Sequence, residues 1–219
     1  MIHIITALNR HLYEARLEEL FRLRHEIFVG ERGWKALEKP DGREIDDYDN
    51  TDSVYFVAID DDRIVGGHRL YPTTKPTMLG DVFPHLAAVR GVPEDEATWE
   101  WSRYFVVKGK RDGKLNLALL AAVQELCLEE GIAEISAVME TWWLPRFQQT
   151  GFTVRPLGLP ALVNNEWTMA GIIEISAETL AHVKNAAGIH GSVLVRRGPQ
   201  CPLIDRTLVM VHRATRAGA

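Results

Sequence analysis

Arg24 restricts what this chain can fold into more than any other single residue. It lies in a stretch, from about His11 to Phe28, where Leu17, Leu20, Phe21, Arg24 and Phe28 recur at three- and four-residue spacings, as in a helix with one inward face. A guanidinium in line with that apolar stripe is costly to bury unless it is paired. The conflict recurs downstream. Asp46 and Asp49 lie in Glu44-Ile-Asp-Asp-Tyr-Asp49, Arg69 closes a strand rich in β-branched residues, and Glu100-Trp-Ser-Arg103 opens another. Charges placed repeatedly at core-facing positions imply a polar cavity built for a polar ligand.

The rest of the chain supplies the frame. A short strand is expected at Ile2–Thr6. From Val29 to Thr51 the chain is charged and glycine-bearing yet holds Trp34, which suits a lid or binding loop. Val54–Ile59 and Ile64–Leu70 flank the turn Asp60-Asp-Asp-Arg63 as a hairpin. Pro72 to Pro93, with four prolines, reads as loop. Trp99–Val107 reads as a strand and leads through Lys108-Gly-Lys-Arg-Asp-Gly-Lys114 into a helix, Leu115–Glu130, that stops at Gly131. Ile132–Met139 reads as a strand and Trp142–Thr150 as a short helix closed by Gly151. Strands near Ala170–Ile175 and Ser192–Val195 follow, with a Ser176-capped helix, Ala177–Ala187, between them. Residues Ala214–Ala219 read as frayed. This order predicts an α/β fold with a mixed sheet and helices on both faces.

Composition removes several classes of function. A length of 219 residues suits one domain with a full core. A net charge of -5 argues against nucleic acid as the main partner. Cys127 and Cys201 are too few for a disulfide framework, and the histidines show no ligand spacing, so neither a metal site nor an oxidising compartment is expected. The first residues lack the pattern of a secretory signal, and no apolar run approaches a membrane span. A cytoplasmic protein with no membrane partner is the expectation.

Several side chains carry candidate chemistry. In a regular strand Glu100 and Arg103 point to opposite faces, so both serve one pocket only if a β-bulge intervenes or the pocket wraps the strand end. A bulge would also free backbone N–H groups to stabilise an oxyanion. The competing reading is an edge strand with solvated charges. Likewise Arg24 could snorkel out of the core with its stem on Phe21 and Phe28, Asp46 and Asp49 could be solvated, Arg69 could simply pair with one of them, and Trp34 could be a staple. Lys108, Lys110, Arg111 and Lys114 gather at a helix N-terminus, which favours phosphate, although a solvated basic turn fits equally. There is no Walker loop and no nucleophile elbow at Ser102 or Ser136. Trp142, Trp143 and Phe147 at helical spacing suit a core, but consecutive tryptophans cannot both face one, so at least one borders a cavity or interface.

Taken in series, Arg24-x-x-x-Phe28, Trp34, Glu44-x-Asp46-x-x-Asp49, Arg69 and Glu100-x-Ser-Arg103 resemble the acyl-homoserine-lactone synthases, the LuxI-type autoinducer makers of quorum sensing. The match runs over about residues 20–105 and continues less distinctly through Gly151-Phe152 and Gly171–Ser176. The resemblance implies a GNAT-like acyltransferase fold with a splayed sheet, in one domain over residues 1–219. Its N-terminal half, about 1–110, would bind S-adenosylmethionine (SAM), and its C-terminal half, about 111–213, the acyl group. SAM and an acyl thioester are substrates, and no cofactor is implied. The SAM amine attacks the thioester, and the carboxylate then closes the lactone and releases methylthioadenosine. The implied catalytic residues are Glu100 as general base, directly or through water, with Arg103 and the backbone near Phe105 at the oxyanion. Arg24, Phe28, Trp34, Asp46, Asp49, Arg69 and Ser102 would hold SAM. Trp101, Tyr104, Met139, Trp142, Trp143 and Phe147 would border the acyl chain, and Lys108, Lys110, Arg111 and Lys114 the phosphates of coenzyme A (CoA).

The acyl donor separates two branches of that family. Synthases using acyl carrier protein are expected to present a basic docking face after Met139. Here Glu140-Thr-Trp-Trp-Leu-Pro-Arg-Phe-Gln-Gln149 carries one arginine and one glutamate, with little to steer an anionic carrier. The bulky side chains would also shorten the pocket. Both features favour acyl-CoA with a short, branched or aryl chain over carrier protein. The rivals are an ordinary GNAT N-acetyltransferase, which leaves the aspartate and arginine series unexplained, and a non-enzymatic sensor, which has no use for Glu100.

Overall fold

The computed structural model describes residues 1–111 and 113–204; the segment read as frayed, 214–219, lies outside them. One sheet runs through the described residues. Its strands are β1 (Ile2–Ile5), β2 (Val54–Asp60), β3 (Arg63–Pro72), β4 (Thr98–Val106), β5 (Glu134–Glu140), β6 (Val154–Pro156), β7 (Ala161–Val163), β8 (Glu166–Glu174) and β9 (Leu194–Val195). The spatial order is β6-β8-β5-β4-β3-β2-β1-β9, with β7 also paired to β8. The helices are α1 (Glu14–Arg24), α2 (Met78–Val82), α3 (Lys114–Glu130), α4 (Trp143–Gln149) and α5 (Ala177–Ala187).

Helices cover both faces, as the alternation of elements predicts. On one face α3 sinks Leu119, Leu120, Val123 and Leu126 against Ile4, Phe56 and Ile135, with α5 contributing Val183. On the other, Leu17, Leu20 and Phe21 of α1 pack on Ile5, Tyr55 and Val57. Turn chemistry fixes the hairpins. Asp61 and Asp62 both take positive φ (44° and 59°), as do Asn164 and Asn165 (49° and 64°), the geometry that matches strand twist in a two-residue turn.

The sheet is mixed because β4 and β5 are parallel while their outer neighbours are antiparallel. Pairing between these two central strands covers only Thr98–Trp101 against Glu134–Ala137. Beyond Trp101 and Ala137 they separate, and the opening between them is the splay. Its cause lies on the other side of β4. Register against β3 passes from Gly67↔Phe105 to Arg69↔Ser102, so Arg103 and Tyr104 together oppose the single residue His68. Arg103 sits at φ 56°. Such a bulge bends and over-twists its strand, which turns β4 away from β5 just past Trp101. Gly67 beside the bulge has no room for a side chain, since a Cβ would lie 2.6 Å from the Phe56 carbonyl oxygen. Gly67→Ala is therefore expected to cost about 1–3 kcal/mol, read as a lower urea midpoint at unchanged slope.

Three expectations of the sequence reading change. The stretch His11–Phe28 is a 3-10 turn (Arg10–Leu12), α1, and then a π-helix, His25–Glu31. Periodicity alone does not reveal that widening. The Pro72–Pro93 loop contains α2, capped by the Thr77 hydroxyl, which accepts from the Gly80 N–H, and a 3-10 turn at Pro84–Ala87. Strands β6 and β7, three residues each, carry too little pattern to be read. At the far edge β9 runs parallel to β1, and Asn9 Nδ2 donates to both Ile4 O and Arg197 O at 2.9 Å.

Candidate active site

The charges of the opening motifs close into a ring. Arg24 pairs with Glu44 (2.5 Å), Glu44 with Arg103 (3.0 Å), Arg103 with Asp46 (2.7 Å), Asp46 with Arg69 (2.5 Å), Arg69 with Asp49 (2.8 Å), and Asp49 with Arg24 (2.8 Å). Three guanidinium and three carboxylate groups alternate, so the ring carries no net charge. Arg24 grips Asp49 with both terminal nitrogens and sends Nε to Glu44. Asp49 also accepts from the Tyr55 hydroxyl at 3.1 Å and the Asp46 N–H at 2.9 Å. Burial alone would raise the Asp49 and Glu44 pKa values. Arg24 and Arg69 around Asp49, and Arg24 and Arg103 around Glu44, instead hold both carboxyls below their ordinary range.

The bulge decides which strand residues join this ring. Glu100 and Ser102 face it by simple alternation, and the extra residue brings Arg103 to the same side. Ser102 Oγ accepts from Arg69 Nε at 3.1 Å. Trp101 and Tyr104 turn to the opposite face, where their rings meet at 5.5 Å. His68, the residue opposite the bulge, stacks between Phe56 and Tyr104, and burial pushes its pKa down to about 3, leaving it neutral.

Glu100 stands beside the ring without belonging to it. Its two oxygens accept the N–H groups of Met78 (3.0 Å) and Leu79 (2.8 Å) at the start of α2. Burial raises its pKa, against the pull of the Leu79 amide and of Arg69. The carboxyl thus combines a fixed position with a raised proton affinity.

A cavity of about 520 Å³ opens in the splay. On its polar side lie Glu44, Asp46, Ser102 and Arg103, with Phe28 and Trp34 stacked at 5.1 Å above them. On its apolar side lie Trp101, Tyr104, Met139, Trp143 and Phe147. Arg24, Asp49, Arg69 and Glu100 do not reach the cavity wall; they stand one layer behind it. Of the residues expected around SAM, then, Phe28, Trp34, Asp46 and Ser102 border the cavity, whereas Arg24, Asp49 and Arg69 brace those that do.

A second cavity, about 590 Å³, continues from the first past Tyr104, Trp143 and Phe147. Trp142, exposed and stacked on Trp143 at 5.0 Å, borders only this one. Of the four cations expected to meet phosphate, Arg111 alone lines it. Lys110 pairs with Asp60 at 2.7 Å, and Lys108 and Lys114 are exposed elsewhere. The other cations on its wall are Arg32 and Arg146. Neither stands in the motif series, although Arg32 lies eight residues after Arg24 and four after Phe28. Glu44, Tyr48 and the Met78–Phe83 segment were likewise missed as cavity wall; the Glu44-x-Asp46 spacing pointed to the first, and nothing in the proline-rich stretch pointed to the last. Among the described residues no helix is long and apolar enough to cross a membrane, and no cluster of metal-binding groups occurs.

The chain is similar to known proteins along nearly its whole length. A family model described as autoinducer synthase matches residues 9–183. The isovaleryl-homoserine lactone synthase of Bradyrhizobium diazoefficiens is 60% identical over 206 residues, 94% of each chain. A solved CoA-dependent acyl-homoserine lactone synthase, BjaI, with SAM and isopentyl-CoA, superposes with a TM-score of 0.91 at 59% identity, covering 95% of this chain and 99% of that one. A Lactobacillus plantarum structure assigned as an N-acetyltransferase matches at TM-score 0.55 and 19% identity over 80% of this chain, a likeness of fold alone that fits the GNAT-like expectation. By sequence and by fold, the chain belongs to the autoinducer synthase family, the acyl-homoserine-lactone synthases.

Proposed function

We propose that this enzyme makes an N-acyl-L-homoserine lactone from SAM and a short, branched acyl-CoA, releasing methylthioadenosine. The observation that carries this reading is the two-sided cavity. One wall offers paired charges and an aromatic stack, and the other a short apolar slot. SAM suits the first, with its ammonium toward Glu44 and Asp46, its carboxylate toward Arg103, and its sulfonium and adenosine near Phe28 and Trp34. A branched chain of a few carbons suits the second, bounded by Trp101, Met139, Trp143 and Phe147.

The chemistry follows from the layering. The ammonium must lose a proton before it attacks the thioester carbonyl. Glu100 accepts it through water or Ser102, since the carboxyl stands behind the wall. Each Glu100 oxygen gives one lone pair to an α2 amide and keeps another for the proton. The tetrahedral oxyanion meets backbone N–H groups of the Arg103–Tyr104 bulge, next to Phe105. Proton transfer to sulfur expels the CoA thiol and leaves the amide. The methionine-derived carboxylate then attacks the carbon bonded to the sulfonium, breaks that carbon–sulfur bond to release methylthioadenosine, and closes the lactone ring.

CoA is favoured over carrier protein for three reasons. The relatives described as CoA-dependent match over nearly the whole chain. α4 offers a carrier only Arg146, whose guanidinium stacks on Trp142 at 4.5 Å. The second cavity, with Arg32, Arg111 and Arg146, offers a path for an anionic coenzyme. The test is methylthioadenosine release from SAM with isovaleryl-CoA, straight-chain acyl-CoAs and acyl carrier thioesters, with product mass; no release with any thioester rejects the reading. Trp143→Ala is expected to raise kcat/KM for longer straight chains relative to isovaleryl-CoA by about tenfold, the worth of one or two methylenes.

A further inference from the structure

Past Trp101 and Ala137 no backbone ladder holds β4 and β5 together, so side chains must set the width of the cleft. The structure places two consecutive charges there. The π-helix ends at Glu31 and its cap residue is Arg32, whose N–H reaches back to Ile27 O at 2.9 Å. Glu31 pairs with Arg111, beyond the end of β4, at 2.9 Å, and Arg32 pairs with Glu140, the last residue of β5, at 3.4 Å. One helix end therefore grips both splayed strands. The Arg32 guanidinium lies over the Phe28 and Trp34 rings, at 5.6 and 5.4 Å, so its direction across the gap is fixed by stacking. Arg32 also borders both cavities, which puts it where they meet.

We infer that the Arg32–Glu140 pair is a clasp holding the cleft at the width needed by the arm of the acyl thioester, making both residues positioning residues for the thioester. This rests on the thioester reading above. A CoA thioester presents its acyl group at the end of a long, slim, neutral arm, which must run from the second cavity into the first beneath this pair. SAM binds among Phe28, Trp34 and the ring, whose members lie on α1, the segment before β2, β3 and β4. It does not depend on where β5 ends.

The experiment uses the whole protein and steady-state methylthioadenosine release, varying isovaleryl-CoA at saturating SAM and then the reverse. Arg32→Gln and Glu140→Gln are each expected to raise KM for isovaleryl-CoA about tenfold, with KM for SAM moving less than about twofold in Glu140→Gln, whose side chain is remote from the aromatic pair. The double substitution should be no worse than either single one, and the exchange Arg32→Glu/Glu140→Arg should recover most of the loss. Single variants with an unshifted thioester KM, equal shifts for both substrates in Glu140→Gln, or effects that multiply in the double variant would each overturn the clasp. Wild-type protein that releases no methylthioadenosine would instead defeat the thioester reading, and the clasp with it. Normal wild-type turnover with unshifted variants removes the clasp alone. The single variants decide the matter even where the exchanged pair does not fold.

Discussion

Glu100→Gln is expected to lower kcat by about 10²–10⁴-fold, the usual contribution of a positioned general base. Burial raises the pKa of this carboxyl, and it must be ionised to accept the proton of the SAM ammonium. Activity therefore falls as pH drops through that raised pKa. The acid limb of the pH–rate profile should lie above the range of a free glutamate, and the variant should lack that limb. A second effect must be separated from the first. Both Glu100 oxygens accept α2 amides, and a glutamine can satisfy only one of them, so its NH₂ faces the other. Leaving that amide unpaired costs about 1–3 kcal/mol, enough to loosen the Met78–Phe83 wall but not to unfold the protein. Measuring SAM binding beside kcat divides the two. A variant that binds SAM normally and releases methylthioadenosine at the wild-type rate removes Glu100 as the base.

Asp49→Asn is expected to be the most destabilising conservative change in the ring, by about 3–5 kcal/mol, because breaking a buried ion pair strands the remaining charge. Asp49 is the only member that takes both Arg24 and Arg69 while staying out of the cavity. Its loss leaves three arginines facing Glu44 and Asp46. A chain of this size should lose roughly 10 °C in Tm. The pH dependence follows from the same contacts. Asp49 and Glu44 are held below their ordinary pKa by arginine, so the stability they add is fully present above the unfolded carboxyl pKa, about 4. It drains away as pH falls through the lower folded values. The wild type should show this acid-side loss in urea midpoints between about pH 4 and pH 2, and Asp49→Asn should show less of it. A Tm within about 2 °C of wild type would mean that the ring is solvated in solution.

These two substitutions touch residues that look alike in sequence, acids in the same motif series, yet they separate chemistry from support. That separation is where sequence reading stopped. The sheet, the hairpin at Asp60–Arg63 and the helices α3 and α5 were legible because periodicity, turn residues and capping agree there. The ring was legible as a set of misplaced charges but not as a closed circuit, since which acid meets which arginine depends on how the segment between Glu31 and Val54 returns over α1. The alternation rule showed that Glu100 and Arg103 need an irregular strand to share a face, but it could not locate the bulge. Arg103 takes a positive φ that no residue type near it advertises, and its partner across the ladder is an ordinary histidine. The apolar wall was readable from bulk alone. The phosphate-binding expectation at Lys108–Lys114 followed local charge, whereas the second cavity takes Arg111 from that loop and recruits Arg32 and Arg146 from elements distant in sequence.

The pairing of β9 with β1 bears on how the protein is made. The first strand of the sheet has as its outer neighbour a strand almost two hundred residues later, and Asn9 bridges to Arg197 as well. During synthesis β1 can pair with β2 as soon as the first hairpin partner emerges, but its other edge stays open until Leu194 and Val195 leave the ribosome. An open edge of Ile2-His3-Ile4-Ile5 is a template for unwanted strand pairing. Late closure of this kind belongs to slow-folding, non-local topologies, and it prolongs the nascent chain's vulnerability until Leu194 and Val195 emerge.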